Sequence, residues 1–219
     1  MAIPTTTDII HLYNRRAKRY NFTANLYYLI GFREQAYRKL AVKRLNLKPG
    51  DTVVEIGCGT GLNFPLLQQA VGIRGRIIGV DLTDAMLAQA GRRVAENKWS
   101  NVELVQSDAA SFHFPDGVDG IISTFALTLV PEFDQVIKNG VDALSPGKRW
   151  VVLDFKLPSN RLAWLAPLGI FITSPFGVTR DLANRHPWES IEKYLTRTSF
   201  EELYAGFAYI ATGEKRGNS

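Results

Sequence analysis

Three glycines alternate with single residues in Glu55-Ile56-Gly57-Cys58-Gly59-Thr60-Gly61, directly after the β-branched run Thr52-Val53-Val54. Glycine lacks a Cβ, so such a loop adopts backbone conformations closed to other residues and lets a ligand lie against the main chain. Two acids, Asp81 and Asp108, follow the strand-length runs 76–80 and 102–105. Both therefore fall at the carboxyl end of a strand, where open α/β sheets bind their ligands. A carboxylate at Asp81 either accepts hydrogen bonds from sugar hydroxyls or caps the helix that follows, and Asp108 faces the same choice between a ligand and a turn. Asp119 opens a later strand and is expected to be structural.

The spacing excludes two other phosphate-binding chemistries. A dinucleotide fingerprint needs G-x-G-x-x-G, but here the third glycine, Gly61, comes one residue early and Leu62 stands where that pattern wants glycine. A P-loop needs Gly-Lys-Ser/Thr, which does not follow. Cys58 is read as a small filler of the loop, because no histidine or other thiolate-stabilising group is indicated beside it. His11, His113 and His186 show no ligand spacing; His113 alone is placed to border a pocket.

The elements that must position these residues alternate in kind. Strands are expected at 52–56, 76–80, 102–105, 118–123 and 150–155. Helices are expected at 62–70, 84–97 (Thr83 as N-cap) and 131–144, the last stopped by Ser145-Pro146-Gly147. Strands separated by helix-length segments imply βαβ units and a mainly parallel sheet with helices on both faces. Residues 200–204 and 207–212 flank Ala205-Gly206 and predict an antiparallel pair at the sheet edge. Two helices, 9–20 and 23–46, precede the first strand. No repeat, low-complexity tract or separate second core is apparent.

With the elements in place, Glu55-Ile-Gly-Cys-Gly-Thr-Gly61 resembles the first motif of class I S-adenosylmethionine (SAM) dependent methyltransferases. The resemblance extends to Asp81, twenty residues after Gly61, to Met86 and Leu87, to Ser107-Asp108-Ala109, to Asp119 and to the Leu144-Ser-Pro-Gly147 turn. It implies a Rossmann-like, doubly wound α/β fold: a mainly parallel seven-stranded sheet with a C-terminal antiparallel hairpin and an N-terminal helical lid. The implied organisation is a basic lid or membrane-facing segment at 1–48 and the methyltransferase domain at 49–219. The implied cofactor is SAM, with S-adenosylhomocysteine as product. On this resemblance Asp81 takes the ribose hydroxyls, Asp108 the adenine amine and the Ala109 amide a ring nitrogen. Leu82 and Met86 sandwich the adenine. Gly57, Cys58, Gly59 and Gly61 form the loop against the methionine portion, and Glu55 fixes that loop or the cofactor's ammonium.

The acceptor is less legible, since a sulfonium is already activated and alignment suffices. Tyr13-Asn-Arg-Arg-Ala-Lys-Arg-Tyr20 resembles the Tyr-x-x-x-Ala-x-x-Tyr segment of lipid and quinone methyltransferases, which implies a catalytic-side role for Tyr13 and Tyr20, by cation–π contact or by hydroxyl; the alternative is one packing face. Residues 162–176 are rich in Trp and Phe and suit an acyl or prenyl chain. The whole chain is most similar to bacterial phosphatidylethanolamine and aminolipid N-methyltransferases, with Arg185-His-Pro-Trp-Glu189 favouring that group, and next to quinone-biosynthesis C-methyltransferases. The expected acceptor is thus an aminolipid. The alternatives are a prenylated quinone precursor or another small molecule, and a non-catalytic SAM-binding protein is the reading from another class.

Composition bounds these expectations. The 219 residues are 46% hydrophobic and 21% charged, which excludes disordered, collagen-like and coiled-coil chains. Residues 1–50 hold ten basic residues against two acids, while the rest holds 16 against 19, so the net +5 arises wholly before the first strand. That segment, with Tyr20, Phe22, Tyr27, Tyr28 and Phe32, suits an anionic membrane surface, or is simply a solvated basic face. Nucleic acid is the rival partner, but Ile122-Ser-Thr-Phe-Ala-Leu stands where a base amino-methyltransferase would carry Asn/Asp-Pro-Pro-Tyr/Phe. One cysteine and three histidines leave no metal expected. Residues 1–8 are polar, so no secretory signal is expected, and Pro167, Gly169, Pro175 and Gly177 interrupt the longest apolar stretch. The expected compartment is cytoplasmic, with peripheral contact at the inner membrane face.

Overall fold

The computed structural model describes residues 31–158 and 185–217. Tyr13, Tyr20 and the aromatic segment 162–176 lie outside the described residues. The elements run α1 (Glu34–Arg44), β1 (Thr52–Ile56), α2 (Phe64–Val71), β2 (Arg76–Asp81), α3 (Asp84–Glu96), β3 (Val102–Gln106), β4 (Val118–Thr124), α4 (Phe133–Ala143), β5 (Leu144–Phe155), α5 (Pro187–Tyr194), β6 (Thr196–Leu203) and β7 (Ala208–Glu214). Short 3-10 turns sit at Leu127–Leu129 and Tyr204–Gly206.

The seven strands form one sheet in the order β3-β2-β1-β4-β5-β7-β6. The first five pair in parallel, and β7 pairs antiparallel with both β5 and β6. This is the expected doubly wound sheet with its C-terminal hairpin. Central strands of such a sheet are covered on both faces, which explains their continuous β-branched character. Alternate residues feed two cores. Val53, Ile77, Ile122, Val151 and Ile210 pack with α1 and α2 on one face. Val54, Ile78, Ile121, Val152 and Tyr209 pack with α4 and α5 on the other.

Strand order reverses between β1 and β4, the topological switch point at which the strand tips part and leave a crevice. The Gly57–Gly61 loop emerges there.

Three local expectations are corrected. The long helix expected over 23–46 does not run through residues 31–33. Gly31 has φ +80°, in the left-handed region, and Phe32 turns inward, meeting Phe155 at 5.7 Å and Tyr204 at 5.2 Å between ring centroids. Its burial in that aromatic cluster outweighs helical continuity, and α1 starts at Glu34. Next, β5 begins at Leu144 rather than near Trp150. The Gly147 N–H donates to the Lys215 carbonyl (2.9 Å) and draws the Ser-Pro-Gly turn into the sheet as an irregularity in register. Finally, Thr83 occupies the N-cap position of α3 without a side-chain capping bond. Its hydroxyl donates instead to Asp81 Oδ1 at 2.5 Å, because a carboxylate is the stronger acceptor.

Candidate functional site

Above the tips of β1, β2, β3 and β4 lies a crevice that opens to solvent. Gly57, Cys58, Gly59, Asp81, Leu82 and Met86 line it, as do Asp108 and Ala109. Eight of the ten residues expected to bind a cofactor are thus brought together. Glu55 and Gly61 are not on the wall.

The glycine loop is built for close approach. Gly57 (φ +69°) faces Ala126 so closely that an added Cβ would lie 2.3 Å from the Ala126 Cβ, whereas a Cβ at Gly59 (φ +53°) would meet nothing within 4 Å. The first glycine lets the loop pack beneath the β4 connection, and the second leaves open space beside the acid of β2. The Gly59 N–H donates to Asp81 Oδ2 (2.8 Å) and the Thr83 N–H to Oδ1 (2.9 Å). Asp81 is therefore held rigidly across the tips of β1 and β2, with one side of the carboxylate on the cavity. The choice left open at Asp108 is partly answered. Its Oδ1 accepts the Ala110 N–H at 2.9 Å as a turn cap, while the residue also lines the cavity.

Glu55 lies behind this wall. It is 1% exposed; its Oε1 accepts from Asn63 Nδ2 at 2.6 Å, and Oε2 has no partner. Burial pushes the carboxyl up to about 8, while the Arg38 charge and the Asn63 amide hold it from rising further. Glu55 is thus a protonated acid at neutral pH, buttressing Asn63 at the start of α2. Cys58 is also buried, and desolvation with the nearby Asp81 and Glu55 drives its thiol well above the ordinary value, so it is no nucleophile. His113 is exposed and off the wall. Asp119 accepts the Thr52 N–H (2.9 Å) and pairs with Lys148 (2.9 Å), a structural role as expected. Among the described residues no cluster of His, Cys, Asp and Glu is arranged to hold a metal.

Sequence reasoning missed the wall beyond β4. Thr124, Phe125, Ala126, Leu129, Val130 and Pro131 form it. Phe125 has φ +56°, costly for a bulky residue, and is held by its N–H to the Leu153 carbonyl (2.7 Å) and by Phe155 at 4.7 Å between ring centroids. Asp154, whose carboxyl burial raises to about 6, accepts the Thr128 N–H at 2.9 Å and anchors the loop from beneath. A strained phenylalanine after a strand of small and apolar residues is the one signal, and it carries no motif.

A family model described as a methyltransferase domain matches residues 53–147. The demethylmenaquinone methyltransferase of Lactobacillus johnsonii is 31% identical over 169 residues, covering 75% of this chain and 68% of that protein. The ubiquinone/menaquinone biosynthesis C-methyltransferase of Pseudomonas putida is 26% identical, covering 85% and 81%. In fold, the protein is similar to geranyl diphosphate C-methyltransferase of Streptomyces coelicolor A3(2), a structure containing S-adenosylhomocysteine. The TM-score is 0.65 at 15% identity, with 83% of this chain and 79% of that one covered. The loop, the acid at the tip of β2 and these likenesses agree: the chain belongs to the S-adenosylmethionine-dependent methyltransferases.

Proposed function

We propose that this protein methylates a ring carbon of a prenylated hydroquinone, with SAM lying across the strand tips. The observation that carries this reading is the 31% identity with a demethylmenaquinone methyltransferase over three quarters of the sequence. The cavity supports it: none of the described lining residues after β4 bears a charge. A cationic headgroup would want a carboxylate there, whereas a naphthol-like ring is suited by Phe125, Leu129 and Val130. The aminolipid acceptor favoured by Arg185-His-Pro-Trp-Glu189 thereby gives way to its alternative.

In the proposed placement Asp108 and the Ala109 amide hold the adenine edge, and Leu82 and Met86 cover its faces. Asp81 accepts from the ribose hydroxyls, and Gly57 and Gly59 let the backbone meet the amino-acid portion. The residues present fit such a group: acids at the β2 and β3 tips, apolar flanks, and open space at Gly59. Bound SAM supplies an activated methyl group for in-line attack by a carbon nucleophile. The protein's own contribution is alignment and exclusion of water, with the loop 126–131 pressed onto the acceptor side by Asp154. A hydroquinone ring is nucleophilic once its hydroxyl proton is lost, and the ring proton then leaves to restore aromaticity; an oxidised quinone lacks that electron density. A hydrophobic acceptor of this kind resides in a membrane, and the basic first fifty residues carry the charge for contact with an anionic surface.

With purified protein and methyl-labelled SAM, label is expected in demethylmenaquinol kept reduced by dithionite and not in phosphatidylethanolamine vesicles. Label entering only the phospholipid, or entering the oxidised quinone as fast as the quinol, contradicts the proposal.

A further inference from the structure

Arg38, on α1, comes from outside every motif that points to the cofactor, yet its side chain forms part of the cavity wall. It is the only basic residue among the described residues lining the cavity. A guanidinium that is 6% exposed incurs a large desolvation cost and is kept where it is oriented. Here the buried Glu34 Oε1 receives both Nε and Nη2 at 2.8 Å, Thr124 Oγ1 receives Nη1 at 2.5 Å, and Asn63 Oδ1 receives Nη1 at 3.3 Å. The guanidinium carbon lies 5.3 Å from the Phe125 ring centroid. Elements α1, α2 and β4 therefore fix one cation at the β4 side of the crevice.

The two lining acids sit at the opposite side, after β2 and β3. Three strand spacings separate β3 from β4, about 14 Å. The cavity is thus polarised: carboxylates at one end to accept from hydroxyls and an amine, a fixed guanidinium at the other. SAM carries the matching polarity, with its sugar hydroxyls and adenine amine at one end and a carboxylate at the other. We infer that Arg38 binds the α-carboxylate of SAM and S-adenosylhomocysteine, and that Glu34, Asn63 and Thr124 are its positioning residues. Glu34 already pairs with the guanidinium, so the ligand's carboxylate joins that pair as a second anion. The inference rests on the shared cofactor and not on the quinol acceptor, so failure of the quinol assay leaves it standing.

The test is calorimetric and needs no turnover. Wild-type protein and Arg38→Met are titrated with S-adenosylhomocysteine, with its decarboxylated analogue and with 5′-methylthioadenosine, which lacks the amino-acid end. In the wild type, removing the carboxylate from the ligand is expected to weaken binding by about 10- to 100-fold, the range for a charge-assisted hydrogen bond. Arg38→Met should lose the same factor for S-adenosylhomocysteine while holding methylthioadenosine affinity within about threefold. Arg38→Lys, which retains the charge but not the fork, should fall between. Equal losses for all three ligands would reduce Arg38 to a packing role and overturn the inference. So would a wild-type protein indifferent to decarboxylation, a result that decides the matter even if Arg38→Met does not fold. Wild-type protein that fails to bind methylthioadenosine at all would instead count against the nucleoside placement.

Discussion

Asp81→Ala is expected to weaken S-adenosylhomocysteine binding by at least about 30-fold, measured by calorimetry. Hydrogen bonds from a ligand to an ionised group are worth about 1.5–3 kcal/mol each, and the proposed placement gives this carboxylate two hydroxyl donors. The substitution also frees the Gly59 and Thr83 amides, which the carboxylate now ties at 2.8 and 2.9 Å, so part of the loss is loosened loop. The 2′-deoxy analogue separates the two parts. Wild-type protein should bind it about tenfold more weakly than S-adenosylhomocysteine, and in Asp81→Ala that gap should close. A gap of the same size in both proteins would mean that another group reads the sugar.

The second large effect concerns stability and pH. The Glu55 carboxyl titrates near 8 in the folded protein, against an ordinary 4.5, chiefly because it is buried. Between those values the unfolded state gives up a proton that the folded state keeps. The stability contributed by the protonated group is therefore complete below about 4.5 and is lost as pH rises through 8. At about 1.4 kcal/mol per pH unit and proton, the loss is on the order of 5 kcal/mol. Glu55→Gln keeps the Asn63 contact, since its carbonyl can accept the Asn63 amide, and cannot ionise. Its melting temperature relative to wild type is expected to rise by the order of 10 °C between about pH 5 and pH 8.5. Asp154 also titrates, but it is common to both proteins and cancels. Parallel melting curves across this range would show that Glu55 is not held protonated by the fold.

What the sequence revealed and what it hid have physical causes. Positions whose backbone or chemistry is singular are readable: Gly57 and Gly59 adopt positive φ, which other residues rarely tolerate, and Asp81 ends a strand whose interior is apolar. The parallel sheet followed from alternation alone, because two-faced burial demands the β-branched runs seen in β1 and β4. Arg38 was hidden because a basic residue in a charged helix reads as a solvated face; only the contacts from Asn63 and Thr124, far apart in sequence, make it interior. Phe125 was hidden because its left-handed backbone is imposed by Leu153 and by the aromatic cluster around Phe32, Phe155 and Tyr204, all remote in sequence. The break before α1 has the same origin. The motif leaves Glu55 to fix either the loop or the cofactor's ammonium, and the structure sets it one layer back, against Asn63.

The most direct measurement is a crystal structure of the full-length protein with S-adenosylhomocysteine bound. The account predicts the ribose hydroxyls within about 3 Å of the Asp81 carboxylate, the adenine between Leu82 and Met86, and the sulfur directed toward Phe125. A ligand lodged elsewhere, or one seated in the crevice with its sugar turned away from β2, would contradict it.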